Sequence, residues 1–72
     1  MNQSEQLIYN NVLNNKSCRK YIESFKTIRE TWVENGLFHL RYIDCLGIDT
    51  TLKFKIGFQN YMTYQGKIIN EN

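Results

Sequence analysis

The sequence predicts an α+β fold in which two N-terminal helices, the second long, pack on one face of a three-stranded antiparallel β-meander (ααβββ). Two observations support this prediction. The spacing of apolar residues changes near Asn35 and Gly36, from the three- and four-residue steps of a helix to the alternation of a strand. One apolar helix stripe and one apolar sheet face then require a two-layer arrangement that buries both of them.

The first helix is predicted over residues 3–14. Its start resembles a capping box, because Asn2 precedes Glu5 by three residues. A partial apolar stripe follows, and it ends at a pair of asparagines that suits a cap or a turn.

The second helix is predicted over residues 17–34. Its apolar positions recur at helical spacing, at Cys18, Tyr21, Ile22, Phe25, Ile28 and Trp32. Either Ser17 or Asn15 is able to cap its start, and Gly36 suits the left-handed position that follows a helix end.

Three strands are predicted after Leu37, because apolar and polar residues alternate there. The expected inward-facing side chains are Phe38, Leu40, Tyr42, Leu46, Leu52, Phe54, Ile56, Phe58, Met62, Tyr64 and Ile68. Turns are expected at residues 47–50 and 59–60. The outward side carries most of the basic residues of this half.

Length and composition indicate one small domain spanning residues 1–72. A chain of this size buries only about 60% of the surface that its unfolded form exposes. Aromatic residues make up 14% of the chain and are the most plausible source of extra burial, within the core or between subunits. A monomer and a homodimer are therefore equally compatible with the sequence.

The expected location is the cytoplasm, with reduced thiols. The N-terminus lacks the features of a signal peptide, and no apolar run reaches the about 20 residues needed to cross a bilayer, so no membrane association is expected. Cys18 and Cys45 could form at most one disulfide. Alanine and proline are absent while Asn, Ile, Lys and Tyr are frequent, which indicates an AT-rich genome and favours a phage or mobile-element origin.

The sequence offers little support for an enzyme, a cofactor or a metal site. His39 is the only histidine, and Cys45 lies six residues further along the same predicted strand, about 20 Å away. A structural zinc site needs four ligands, commonly in closely spaced pairs, and this arrangement is missing from the sequence. The sequence also lacks the glycine-rich phosphate motifs. We therefore expect a non-catalytic protein.

The leading functional hypothesis is a small intracellular interaction module, a regulator or inhibitor that binds a partner protein. Apolar residues beside basic ones on the outward sheet face are typical of a protein interface. The alternative is that the first helix covers this face and buries it. The residues predicted to contact the partner are Arg41, Ile43, Cys45 and Tyr61.

The alternative hypothesis is a small nucleic-acid-binding protein, since basic groups beside aromatic rings suit single-stranded nucleic acid. Its predicted contacts are Lys16, Arg19, Lys20, Arg41, Lys53, Lys55 and Lys67. The same lysines would also suit a solvated face that discourages edge-to-edge aggregation. A semi-buried ion pair between Arg29 and Asp44 is predicted separately, because both residues interrupt apolar patterns. The alternatives are a strand that ends at Ile43, before Asp44, and an Arg29 side chain that extends its charged end to solvent.

Overall fold

Two short helices precede a four-stranded antiparallel sheet in the computed structural model, which describes residues 2–22 and 27–70. The elements are α1 (Gln3–Leu13), α2 (Lys16–Ile22), β1 (Thr27–Glu34), β2 (Leu37–Ile43), β3 (Asp49–Ile56) and β4 (Met62–Ile69). The strands lie in chain order, β1-β2-β3-β4, and each pair of neighbours is antiparallel. The predicted class, helices with an antiparallel sheet, is confirmed, but the prediction of three strands is wrong.

The predicted long helix over residues 17–34 is also wrong. Helix α2 spans Lys16–Ile22, and residues 27–34 form the extra strand β1. The predicted stripe position Phe25 lies outside the described residues. The residues of β1 include threonine, isoleucine, tryptophan and valine, which suit a pleated surface better than a helix.

The Asn35–Gly36 pair explains why the chain reverses at this point. Both residues have positive φ, 54° and 75°, and Glu34 pairs directly with Leu37 across them. This is a two-residue hairpin turn of the type that favours Asn-Gly, because both central residues must be left-handed. The same pair therefore ends a strand, although its glycine would also have suited the end of a helix.

One face of the sheet and the two helices share a single hydrophobic core. Its buried members are Val12, Cys18, Ile22, Phe38, Leu40, Tyr42, Leu52, Phe54 and Met62. The predicted inward positions in β2 and β3 are thus confirmed up to the strand ends. Leu46 and Phe58 were also predicted to face inward, and they are instead 79% and 87% exposed, because β2 and β3 end before them.

A bulge in β4 reverses the predicted orientation of its second half. Tyr64 pairs with Phe54, and Gly66 pairs with Lys53, so Gln65 is the extra residue between them. After the bulge, Ile68 lies opposite Thr51 on the outer side of the sheet. The predicted inward orientation of Ile68 is therefore wrong.

The same bulge moves Lys67 away from the basic side where it was predicted. Lys67 pairs with Leu52, a core residue, so it projects from the helix-facing side at the sheet edge. Regular alternation along β4 predicts the outer side for Lys67. The bulge adds one residue, which reverses the side on which every later residue of the strand lies.

Asn15 joins the helical layer to the sheet. Its side-chain oxygen accepts a hydrogen bond from the Ser17 backbone N–H at 2.9 Å, which caps α2. Its amide nitrogen donates to the Met62 carbonyl of β4 at 2.8 Å. The predicted cap at Asn2 is likewise confirmed, because its side chain accepts from the Glu5 backbone N–H at 2.8 Å.

The predicted Arg29–Asp44 ion pair is replaced by a loop contact. Asp44 follows β2, and its carboxylate accepts hydrogen bonds from the backbone N–H groups of Leu46 and Ile48 at 2.8 and 2.9 Å. Arg29 is an exposed residue at the irregularity in β1. Asp44 interrupts its apolar pattern because it closes a turn, and Arg29 interrupts its own because it lies at a bulge.

Candidate protein-interaction surfaces

The side of the sheet that faces away from the core is the first candidate surface, and we call it the outer sheet face. Pairing across the four strands arranges its residues in rows. From the Asn35–Gly36 turn toward the other end, the rows are Glu34, Leu37, Lys55 and Thr63; Trp32, His39, Lys53 and Gly66; Glu30, Arg41, Thr51 and Ile68; Thr27, Ile43, Asp49 and Asn70.

Arg41 is held in an ion-pair network at the centre of this face. Its Nε donates to both carboxylate oxygens of Asp49, at 2.9 and 3.1 Å, and its second terminal nitrogen lies 2.5 Å from the same carboxylate. Its other terminal nitrogen lies 3.3 Å from Glu30. Asn70 also donates to Asp49, at 2.9 Å. Such a bidentate contact fixes the orientation of both side chains.

These contacts shift the ionisation of both partners. The hydrogen bond from Arg41, followed by the one from Asn70, lowers the pKa of Asp49 to about 2. The hydrogen bonds to Asp49 and then to Glu30 raise the pKa of Arg41 above its ordinary value. Arg41 therefore forms ion pairs with two carboxylates of its own chain.

The seven residues predicted to contact nucleic acid do not form one surface. Lys16, Arg19 and Lys20 lie on α2, whose buried residues pack against the opposite side of the sheet from Lys53 and Lys55. Lys67 projects from that same opposite side, and Arg41 is ion-paired. Lys53 and Lys55 share the outer sheet face with the acidic residues Glu30, Glu34 and Asp49, and Arg29 at the β1 bulge adds a further positive charge near Asp49.

Trp32 and His39 form an aromatic stack beside Arg41. Their ring centroids are 4.8 Å apart and the ring planes differ by 6°. His39 is buried, and its Nδ1 has no hydrogen-bond partner within the described part of the chain. A groove of about 380 Å³ lies along this stack, lined by Glu30, Trp32, His39, Arg41, Thr51, Ile68 and Asn70.

The residues predicted to contact a protein partner do not all lie together. Arg41 and Ile43 lie on the outer sheet face, and Cys45 is exposed in the loop that follows β2. Tyr61 lies beyond the far end of β3. The eight residues of β3 separate the two loops by about 26 Å. Partner binding by these four residues stays a prediction, and Tyr61 cannot share a small site with the other three.

The second candidate surface surrounds Tyr61. It is a cleft of about 420 Å³ between the α1–α2 junction and the loop that joins β3 to β4. We call it the amide–aromatic cleft, and its lining residues are Asn11, Asn14, Asn15, Phe58, Gln59, Asn60, Tyr61 and Met62. Amide side chains and two exposed aromatic rings thus dominate its surface.

The loop that presents these rings is closed by its own backbone. Gly57 donates to the Tyr61 carbonyl at 2.8 Å, and Tyr61 donates to the Phe58 carbonyl at 3.1 Å. Gln59 and Asn60 both have left-handed backbones, with φ of 54° and 61°. A left-handed conformation is uncommon for a residue such as Gln59 and is unfavourable by about 1–2 kcal/mol.

The predicted turn at residues 59–60 lies in this loop, but the predicted inward orientation of Phe58 is wrong. The alternation of β3 continues through Phe58 in the sequence, so its ring was assigned to the core. Gly57 was the available indication, because a glycine within a strand pattern often marks the place where the strand ends or bends. The structure places Phe58 and Tyr61 at 87% and 65% exposure on the same loop.

Comparisons of the chain with protein-family models, with curated proteins and with solved structures find no match. In the described residues, no helix has the length and apolar character that a membrane span requires. Across residues 2–22 and 27–70, no three His, Cys, Asp or Glu side chains are grouped so that they could hold a metal ion.

Proposed function

We propose that this protein is a small non-catalytic interaction module that regulates or inhibits a partner protein by binding it through the amide–aromatic cleft. The supporting observation is the display of Phe58 on a closed, strained loop. A solvent-exposed phenylalanine contributes nothing to the core, and its loop holds Gln59 in an unfavourable backbone conformation. Strained backbone at an exposed loop is a common property of binding sites.

The chemistry of the cleft favours a polypeptide partner. Five of its eight lining residues are asparagine or glutamine, whose side chains both donate and accept hydrogen bonds and can therefore pair with peptide groups. Phe58 and Tyr61 supply the aromatic contacts that are enriched in protein interfaces. The backbone hydrogen bonds of the loop hold it in shape before binding, which reduces the entropy lost on association.

The same composition gives less support to nucleic-acid binding. Two exposed rings could stack on bases, but the lining residues of the cleft include no lysine or arginine to contact phosphates. The nucleic-acid hypothesis therefore depends on Lys53 and Lys55, which share the outer sheet face with the carboxylates of Glu30, Glu34 and Asp49. A cytoplasmic location and a phage or mobile-element origin belong to this proposal as expectations from the sequence.

The test compares two variants that each remove exposed apolar side chains. The double variant Phe58→Ala/Tyr61→Ala truncates the cleft, and Leu46→Ala truncates a similarly exposed residue in the loop at the other end of the sheet. Both should keep the far-ultraviolet circular dichroism and the unfolding midpoint of the original protein. Each protein is immobilised and used to capture partners from a lysate of cells of the source, with quantitative mass spectrometry of the bound fraction.

We expect a protein that binds saturably to the original protein and to Leu46→Ala, and that does not bind the double variant. The purified partner should then bind the double variant at least about 30-fold more weakly, as expected when an interface loses a central aromatic anchor. Equal retention by all three proteins would contradict the assignment of the cleft. Retention of nucleic acid that falls steeply with added salt would support the alternative instead.

A further inference from the structure

The outer sheet face has a charge pattern that is complementary to itself. Glu34, Lys53 and Lys55 form no ion pair with another described residue, whereas Arg41 pairs with both Glu30 and Asp49. Glu34 lies on β1 and the two lysines lie on β3, so acid and base are placed on either side of β2.

The strand register places these charges at matching levels. Glu34 and Lys55 both pair with Leu37, and Trp32 and Lys53 both pair with His39. Within one chain, Glu34 and Lys55 are separated by two strand spacings, about 10 Å, with Leu37 between them. Their charges are therefore available to a second molecule that covers the face.

We infer that the outer sheet face binds the same face of a second copy of this chain, forming a homodimer about a two-fold axis parallel to β2. Such an axis keeps each row at its own level and exchanges the two sides of β2. Glu34 of one copy then lies over Lys55 of the other, and Trp32 lies over Lys53. Arg41 lies at the axis near the Arg41 of the second copy, and each is paired with Glu30 and Asp49 of its own chain. Two-fold symmetry makes every such contact twice.

The size of the face fits a weak assembly. With the axis along β2, strands β1, β2 and β3 of one copy face those of the other, and β4 lies outside the overlap. Three strands of seven or eight residues cover about 14 by 25 Å, so two facing sheets bury at least about 700 Å² in total, the size of a weak interface. Leu37, Ile43 and Trp32 supply apolar contact along the face.

This inference concerns a different surface from the amide–aromatic cleft, and it is tested without any partner. Sedimentation equilibrium of the purified full-length protein should show a monomer–dimer equilibrium. The single variants Glu34→Lys and Lys55→Glu should each weaken the dimer at least about tenfold, because each places like charges opposite one another at two symmetric positions. The double variant Glu34→Lys/Lys55→Glu should restore the dimer to nearly the original affinity.

A crosslinking measurement provides a second test, which is independent of these charges. In a Cys45→Ser background, Leu37→Cys places a thiol on β2, near the axis and near its copy in the second molecule. A bismaleimide with a span of about 10 Å, the spacing of packed sheets, should then crosslink the dimer efficiently. Gln3→Cys, an exposed position on α1, is the matched control and should remain uncrosslinked at the same concentration.

The proposal predicts both restoration in the double charge variant and preferential crosslinking through position 37. An original protein that stays monomeric at millimolar concentration would overturn it. A double variant that is no more dimeric than the single variants, or crosslinking that is as efficient through position 3, would also overturn it. Circular dichroism of each variant establishes that a lost dimer reflects a lost contact in a folded chain.

Discussion

Replacement of Asn15 provides the sharpest test of how the helices are attached to the sheet. The Asn15 side chain caps α2 through the Ser17 N–H and also donates to the Met62 carbonyl of β4. Loss of an asparagine cap costs about 1 kcal/mol, and loss of a hydrogen bond in a partly buried position costs about 1 kcal/mol more. We therefore expect Asn15→Ala to lower the free energy of unfolding by about 2 kcal/mol, and to lower the melting temperature by about 8–16 °C.

The neighbouring residue provides the control for this measurement. Asn14 is exposed, and its side chain makes no hydrogen bond with another described residue, so Asn14→Ala should change the free energy of unfolding by less than about 0.5 kcal/mol. Asn15→Asp keeps an oxygen to cap α2 but removes the donor to Met62, and should lose about half as much stability as Asn15→Ala. Urea unfolding at neutral pH gives all three values. Equal stability of Asn14→Ala and Asn15→Ala would refute the assigned role of Asn15.

Three further outcomes are expected. Gly36→Ala should destabilise the protein by about 1–2 kcal/mol in urea unfolding, because φ is +75° and an added Cβ meets open space, so backbone strain is its main cost. An unchanged midpoint would contradict the turn geometry. The pKa of Asp49 falls from 3.8 to about 2 beside Arg41, so its ionisation stabilises the fold above pH 4 and this contribution is lost as the pH falls toward 2. Asp49→Asn should therefore show a smaller decrease in stability across that range, and an equally steep decrease would refute the pairing. Burial raises the pKa of the Cys18 thiol while Cys45 is exposed, so a thiol reagent should modify one cysteine quickly in the native protein and both in denaturant. Rapid modification of both cysteines in the native state would contradict the burial of Cys18.

The sequence pattern was most reliable where local and tertiary preferences agree. The alternation around Phe38, Leu40, Leu52 and Phe54 correctly assigned their side chains to the core, because these strands are regular and one side of the sheet is buried. The helix start at Asn2 was likewise readable, since a cap requires only residues that are close in sequence.

The candidate surfaces were only partly predictable. Tyr61 was recognised as exposed, whereas Phe58 was assigned to the core by a pattern that runs past the end of β3. Arg41 was recognised as an outward residue, but its pairing with Glu30 and Asp49 joins three strands. No local pattern contains such a contact, because it depends on register between strands that are distant in sequence.

The sequence by itself determined a small chain with helices first and antiparallel strands after them, because hydrophobic periodicity and capping are local properties. Only the tertiary structure decided whether residues 27–34 continue a helix or start a sheet. Their apolar spacing permits a helix, but the left-handed Asn35–Gly36 turn lets them pair with β2, and backbone pairing along a whole strand outweighs a weak local preference. The bulge at Gln65 was decided in the same way, and it determines which side of the sheet Lys67 and Ile68 occupy.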